Sequence, residues 1–302
     1  MSVPAAYIGV VLIWSTTPLA IKWSGEGVGY LFGVTGRMVI GVMLALLVLQ
    51  LAGLRLRWNR QARKTYLVAG LSIYVAMTAV YWSAQYIPSG WISVVFGLSP
   101  IVTGLFARLW LNEQGLTPPR MLALLIALAG LVVIFDVGIQ AGTQAVLGLI
   151  GMLVSVLCHS ASAVWIKRLD AKLHGLTVTA GGLIVAVPLF LLSWFLQGQS
   201  WPAVVDSRTL GSILYLGIIG SVLGFALYFY LLRHVETTRV ALITLITPAI
   251  ALLAGQWLNG EVVDASVWIG TAMIMLGLMG FEMGSRFWPQ PRPNRPRESE
   301  GQ

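Results

Sequence analysis

Leu98-Ser99-Pro100 opens an apolar stretch that ends at Trp110-Leu111-Asn112-Glu113, and Ile246-Thr247-Pro248 opens a second that ends at Leu258-Asn259-Gly260-Glu261. In each, a proline follows a hydroxyl residue inside a hydrophobic run, and a glutamate stands thirteen positions later, where the run must leave its apolar surroundings. The copies are offset by 148 residues. The same offset relates Tyr81-Trp82 to Phe229-Tyr230 and, within one residue, Ala129-Gly130 to Leu276-Gly277. One unit of about half the chain is used twice, so the fold must accommodate two equivalent halves.

Those halves belong in a bilayer. The chain is 57% hydrophobic and 10% charged, against about 25% charged residues in soluble domains, too few to cover a water-facing surface. Ten apolar segments can be cut at the charged and Gly/Pro-rich breaks: Ala5–Trp23, Tyr30–Leu51, Tyr66–Tyr86, Ser89–Leu111, Arg120–Phe135, Val146–Ile166, Leu176–Leu196, Leu210–Leu232, Val240–Leu258 and Ala265–Met283. Each is long enough, or nearly so, to cross the hydrocarbon as a helix, the only open-ended element that satisfies its own backbone there. Segments of this length exclude a barrel. The expected fold is therefore an all-α integral membrane protein of ten transmembrane helices. Cys158 is the only cysteine, which excludes intrachain disulfides and thiolate metal sites. No cofactor and no metal are expected.

Orientation follows from the basic residues. With the N-terminus in the cytoplasm, sixteen of the nineteen Lys and Arg residues fall on inner connections or the C-terminal tail. Lys22, Arg37 and Arg208 are the exceptions, on the side whose connections carry Glu26, Asp136, Asp206, Glu261 and Asp264. The net charge of +8 thus reports topology and not nucleic-acid binding, and both termini are expected to be cytoplasmic. The first segment lacks a basic start and a small-residue cleavage site, so it reads as a retained helix. Five helices per unit is odd, so the second unit, residues 145–285, enters the membrane opposite to the first, residues 1–138. Such inverted repeats mark secondary transporters that expose a midplane site alternately to either side. Residues 286–302, rich in Arg and Pro, are expected to be a disordered basic cytoplasmic tail.

Aligning Lys22 with Lys167 sets Trp14-Ser15 on His159-Ser160, near the bilayer middle. Polar groups there are costly unless they face a cavity or a partner, so all four are candidates to line a solute pathway, although the hydroxyls can also bond back to their own helices and His159 can serve as a plain interhelical bond. Pro100 and Pro248 each remove a backbone hydrogen bond. The break offers backbone groups to a solute or merely improves packing, and Ser99, Thr247 and Thr244 would add hydroxyls. Arg37 lies about 10 Å inside the second segment. It would attract a carboxylate or phosphate, or else bond to helix-end carbonyls or to Asp136 or Glu26. Tyr81 and Tyr228 add aromatic faces, whereas Tyr228 and Tyr230 point in different directions and cannot both face the pathway. Lys22, Glu113, Lys167 and Glu261 stand at helix ends as anchors or gates. No carboxylate lies at mid-depth to couple a proton or sodium ion. There is no phosphate-binding loop, and no His-Glu-x-x-His or Gly-x-Ser-x-Gly pattern.

The Pro100-to-Glu113 stretch followed by Ala129-Gly130, its second copy ending at Leu276-Gly277, Trp14-Ser15 with Ile21-Lys22, and Gly36-Arg37 resemble the paired EamA domains of the drug/metabolite transporter superfamily over residues 5–284. The resemblance implies a ten-helix inner-membrane permease of inverted five-helix repeats, often an exporter of amino acids or related metabolites. Two departures stand out: His159, where the family more often has an aromatic residue, and Ala180–Gly182, where no arginine answers Arg37. The partners expected are the bilayer and a small-molecule solute, and a homodimer is an allowed assembly. A multidrug or lipid-linked-sugar flippase is the alternative within transport. An intramembrane enzyme would have to use Ser160 and His159, which adjacent on a helix point about 100° apart.

Overall fold

The structure, a computed structural model, describes residues 2–111, 117–198, 201–234 and 237–287. The chain is helical, with no strand among the described residues. In order, α1 is Val3–Trp23, α2 Tyr30–Leu51, α3 Arg60–Ser83, α4 Ser89–Phe96, α5 Ser99–Leu111, α6 Pro118–Ala141, α7 Thr143–Leu169, α8 Gly175–Leu196, α9 Ser207–Tyr215, α10 Gly224–His234, α11 Thr237–Asn259 and α12 Ala265–Phe287; a π-helical stretch, Leu216–Leu223, joins α9 to α10. Taking α4 and α5 as one span, seven of these are long and apolar enough to cross a membrane, and Ile243–Asn259 and Ala265–Phe281 are shorter apolar helices. Met121, Leu122, Leu125, Leu128 and Val132 of α6 are exposed. A stripe of that kind has a suitable solvent only in lipid. The protein is a multi-pass membrane protein.

The boundaries differ from the hydropathy cuts where polar residues start or end a helix. α3 begins at Arg60, six residues before Tyr66, because Asn59 Oδ1 accepts the Ala62 N–H at 2.8 Å and starts the helix among basic residues. α6 passes Phe135 and carries Asp136, which accepts a bond from Gln140 one turn on, at 2.8 Å. It stops at Gly142, whose φ of +110° suits glycine and lets α7 begin at once. α12 reaches Phe287, so the first two residues of the expected tail are helical; positions 288–302 lie outside the described residues. The eighth expected segment, Leu210–Leu232, is the composite of α9, the π stretch and α10.

α6 packs along α12, α3 along α7 and α8, α2 along α8, and α1 along α11 and α10. Glycines permit the closest approach. A Cβ on Gly130 would stand 2.6 Å from Gly270 O, and one on Gly270 would stand 2.9 Å from Gly130 O, a reciprocal fit of small residues that draws helix backbones together. The last turn of α1 meets the first turns of α4 and α9 and the last turn of α11, here termed the Trp23 end.

Candidate functional site

At the Trp23 end, helix termini converge on one carboxylate. Glu261 Oε2 accepts the Ser89 N–H at 2.8 Å and the Ser89 hydroxyl at 2.9 Å. Its Oε1 accepts Asn259 Nδ2 at 2.9 Å and lies 3.5 Å from Lys22 Nζ. Lys22 also donates to Ile87 O at 3.0 Å. The geometry follows from local structure: Ser89 opens α4, where free N–H groups and the helix dipole favour an anion, and Lys22 is in the last turn of α1, where a cation is favoured. Beside this, Trp23 Nε1 and Arg208 Nη2 each donate to Asn259 Oδ1 at 2.8 Å. The Arg208 guanidinium stacks 4.2 Å from the Trp23 ring centroid and is 3.8 Å from Glu26. α1, α4, α9 and α11 are thereby clamped together. Lys22 is more than an interfacial anchor, and Glu261 is a buried acceptor instead of a carboxylate left in water.

Deeper in the bundle lies Arg37, 8% exposed. Neither carboxylate considered from sequence pairs with it, since Asp136 is held by Gln140 and Glu26 faces Arg208. Its Nε reaches Ser221 Oγ of the π stretch at a long 3.4 Å, and its buried Nη1 has no acceptor. Tyr81, 1% exposed, faces Arg37 and Ser24 closely enough to feel both, yet its hydroxyl completes no hydrogen bond.

A third layer surrounds the prolines. Here the copies diverge: α11 runs through Pro248, whereas the first copy breaks at Gly97-Leu98 and restarts at Ser99, leaving Pro100 in the first turn of α5. Pro100 has no N–H for the Phe96 carbonyl, and Ser99 Oγ takes that carbonyl at 2.6 Å. The Ser99 hydroxyl thus gives its proton to its own backbone and retains only acceptor lone pairs for any other partner. Ser99 O accepts Ser160 Oγ at 3.2 Å, tying α7 to the break. Pro248 and Thr247 are buried, and Pro248 Cγ lies 3.7 Å from where a Gly97 Cβ would stand. The two proline regions thus meet across the α4–α11 contact.

His159 is exposed and its ring lies 5.4 Å from that of Phe96. Trp14 packs 5.0 Å from Tyr228, while Tyr230 stacks on His234 at 4.1 Å, so the two tyrosines do diverge. Ser15 is fully buried with an unpaired hydroxyl, and Thr244 is half-buried. Lys167 is exposed at the opposite end of the bundle, in the last turn of α7. Glu113 lies outside the described residues. Between α1 and α9 a cavity of ≈ 620 Å³ runs from Trp23 and Arg208 down to Leu12 and Ile219. Its lining is largely apolar, and Thr16 and Tyr215 share a 2.6 Å hydrogen bond within it.

The model of the EamA-like transporter family matches residues 3–136 and again 146–282. The chain belongs to the EamA-like transporter family. Among its relatives, the uncharacterized inner membrane transporter YedA of Escherichia coli (strain K12) is 23% identical over 287 residues, covering 94% of this chain and 92% of that protein. The probable terminal-alkyne amino-acid exporter of Streptantibioticus cattleyicolor is 26% identical over 287 residues, covering 91% of each. A crystal structure 20% identical in sequence superposes with a TM-score of 0.62, covering 95% of this chain and 99% of the other, which supports the fold alone.

Within this EamA chain, sequence reasoning paired neither Lys22 with Glu261 nor Arg37 with Ser221, and it passed over Ser89, Asn259, Trp23 and Tyr215. One signal was available. Lys22, Arg37 and Arg208 are the only basic residues assigned to the otherwise acidic side, and two of the three, Lys22 and Arg208, stand in the clamp.

Proposed function

We propose that this EamA protein exports small metabolites, amino acids among them, across the cell's inner membrane by alternating access, as a secondary or facilitative transporter. Ten membrane crossings in two inverted repeats carry it, with both termini in the cytoplasm and the Trp23 end outside. The observation that carries this reading is the packing pattern. Let α1 correspond to α7, α2 to α8, α3 to the α9–π–α10 composite, α4 with α5 to α11, and α6 to α12. The packing of α1 on α11 then has its image in α7 on α5, α1 on the composite in α7 on α3, and α2 on the composite in α8 on α3; the pairs α2–α8, α4–α11 and α6–α12 map onto themselves. A molecule of two interchangeable halves can adopt two conformations of similar energy, open to opposite sides.

The symmetry is incomplete, and one departure bears on access. α1 also packs on α4, with no image of similar extent among the described residues, and this is where the Lys22–Glu261 clamp lies. The conformation is accordingly closed outside. The substrate class rests on the name of the Streptantibioticus relative, an amino-acid exporter, and on the lone buried guanidinium, which suits a carboxylate. The lateral cavity beside α1 favours a second reading, a flippase for amphipathic drugs or lipid-linked solutes that enter from the bilayer. Overexpressing cells challenged with toxic concentrations of each amino acid and a panel of cationic drugs, followed by efflux from proteoliposomes, separate the two. Rescue and efflux of amino acids support export, rescue by drugs alone supports the flippase, and efflux of neither overturns the transport reading.

A further inference from the structure

We infer that Arg37 and Tyr81, oriented by Ser221, form a subsite for a carboxylate of the transported solute, just below the outer clamp. The inference rests on the transport reading above and narrows it to solutes bearing an anionic group.

The argument begins with an uncompensated charge. Arg37 is 8% exposed and about 10 Å along α2 from its nearer end, a depth at which an arginine is costly unless paired. Burial at that depth is ordinarily offset by a carboxylate or by backbone carbonyls. Four of the five acidic residues of this end are engaged elsewhere: Glu26 with Arg208, Asp206 with the Arg208 N–H, Glu261 with Lys22, Ser89 and Asn259, and Asp136 with Gln140; the fifth, Asp264, precedes the first turn of α12. Among the described residues no carboxylate forms an ion pair with Arg37.

The open donors are specific. Arg37 Nη1 is buried without an acceptor, and so is the Tyr81 hydroxyl. Ser24, which also faces Tyr81, gives its own proton to Ile21 O at 2.7 Å. Ser221 gives its proton to Leu216 O at 2.9 Å, across the wide π turn, which leaves an oxygen lone pair for Arg37 Nε at 3.4 Å. Ser221 therefore positions the guanidinium and is not itself a donor to the anion. What remains is the NH2 group of Arg37 Nη1 and the phenol O–H of Tyr81, neither given to an acceptor in the protein. Two such donors match the two oxygens of a carboxylate, and the bonds are charge-assisted. A π-helical stretch at this depth also fits, because π turns within α-helices are frequent at functional sites.

The test uses the purified full chain in detergent and in nanodiscs. The probes are L-leucine and L-phenylalanine, their carboxamides, which lack the carboxylate, and 4-methylpentanoate and 3-phenylpropanoate, which lack the amine. Thermal stabilisation is titrated against each probe. In the parent, the carboxylate-bearing probes are expected to bind at least tenfold more tightly than the amides. Arg37→Gln should abolish that discrimination, Arg37→Lys should retain part of it, and Tyr81→Phe should weaken carboxylate binding several-fold. If Arg37→Gln does not reach the membrane, Tyr81→Phe carries the test, since a merely structural role would leave the ratio of acid to amide unmoved. Amides that bind as well as acids, a variant that discriminates like the parent, or a parent stabilised by no probe overturns the subsite. Failure of the amino-acid reading looks different: the deaminated acids bind and the amino acids do not, and the carboxylate subsite stands.

Discussion

Replacing Glu261 with alanine should open the outer side of the transporter. The carboxylate takes two contacts from Ser89 at 2.8 and 2.9 Å, one from Asn259 at 2.9 Å and the Lys22 ammonium at 3.5 Å. Its side chain is 7% exposed, so these interactions are made nearly out of water, while that of Lys22 is 25% exposed. A hydrogen bond to a charged acceptor contributes about 1.5–3 kcal/mol, and an ion pair to a partly solvated lysine at most about 1 kcal/mol. The four contacts do not sum, because on opening Glu261, Ser89 and Lys22 all regain hydration. About 2–3 kcal/mol is left, a shift of roughly 30- to 150-fold toward the outward-open state. Lys22→Ala should give a smaller shift of the same sign, since Ser89 and Asn259 still hold the carboxylate. The assay places a reporter one turn below Ser89 on α4, as Ser93→Cys in a Cys158→Ser background, where Ser93 is 8% exposed. Its initial rate of labelling by a membrane-impermeant maleimide, applied from outside, tracks the open fraction. Equal rates in the parent and Glu261→Ala, with equal labelling after denaturation, would refute the assignment of the clamp as the outer gate.

Other outcomes follow from the remaining layers. Gly130→Val or Gly270→Val should cost about 1–3 kcal/mol by overpacking and lower the apparent melting temperature in detergent, whereas Gly211→Ala, with no atom within 4 Å of its new Cβ, should leave it unchanged. Pro100→Ala supplies the N–H that the Phe96 carbonyl lacks, so it should stiffen the α4–α5 break and slow efflux; unchanged efflux would mean that the break serves packing alone. Ser160→Ala loses one bond to Ser99 O, worth about 1 kcal/mol, and should reduce efflux by less than tenfold. Histidine is the side chain most readily protonated on mild acidification, and a proton on His159 beside Phe96 should depress export of cationic solutes more than anionic ones. His159→Gln should flatten that response in vesicles assayed from pH 5.5 to 8, and a pH profile that survives the substitution removes His159 from the pathway.

Much of this molecule was legible because the bilayer leaves the backbone few choices. A segment that buries its peptide groups in hydrocarbon must be helical, so composition alone led to an all-helical membrane protein, and a proline and a glutamate at one spacing in two copies led to a repeat. The hydropathy cuts failed where helices carry polar residues beyond the apolar core, at Arg60, where Asn59 caps a basic turn, and at Asp136, where α6 runs on to Gly142; hydropathy also carried no sign of the break at Gly97-Leu98 or of the π turn at Leu216–Leu223, both inside apolar runs.

The site was a different matter. Sequence placed Lys22 and Glu261 at helix ends and Arg37 inside a helix, because depth follows from counting residues along a span. It could not say what each one touches, because partners are fixed by the rotation of each helix about its axis and by which helices are neighbours. Helix ends remote in the chain had to be brought together before Lys22, Ser89 and Glu261 could become one clamp. The same packing turned Asp136 and Glu26 to other partners and left Arg37 facing Tyr81 and Ser221. Locally, the Ser99 proton went to a carbonyl that the neighbouring proline had freed. Bilayer chemistry sets which residues can lie at a given depth, and side-chain packing among the helices sets which of them meet.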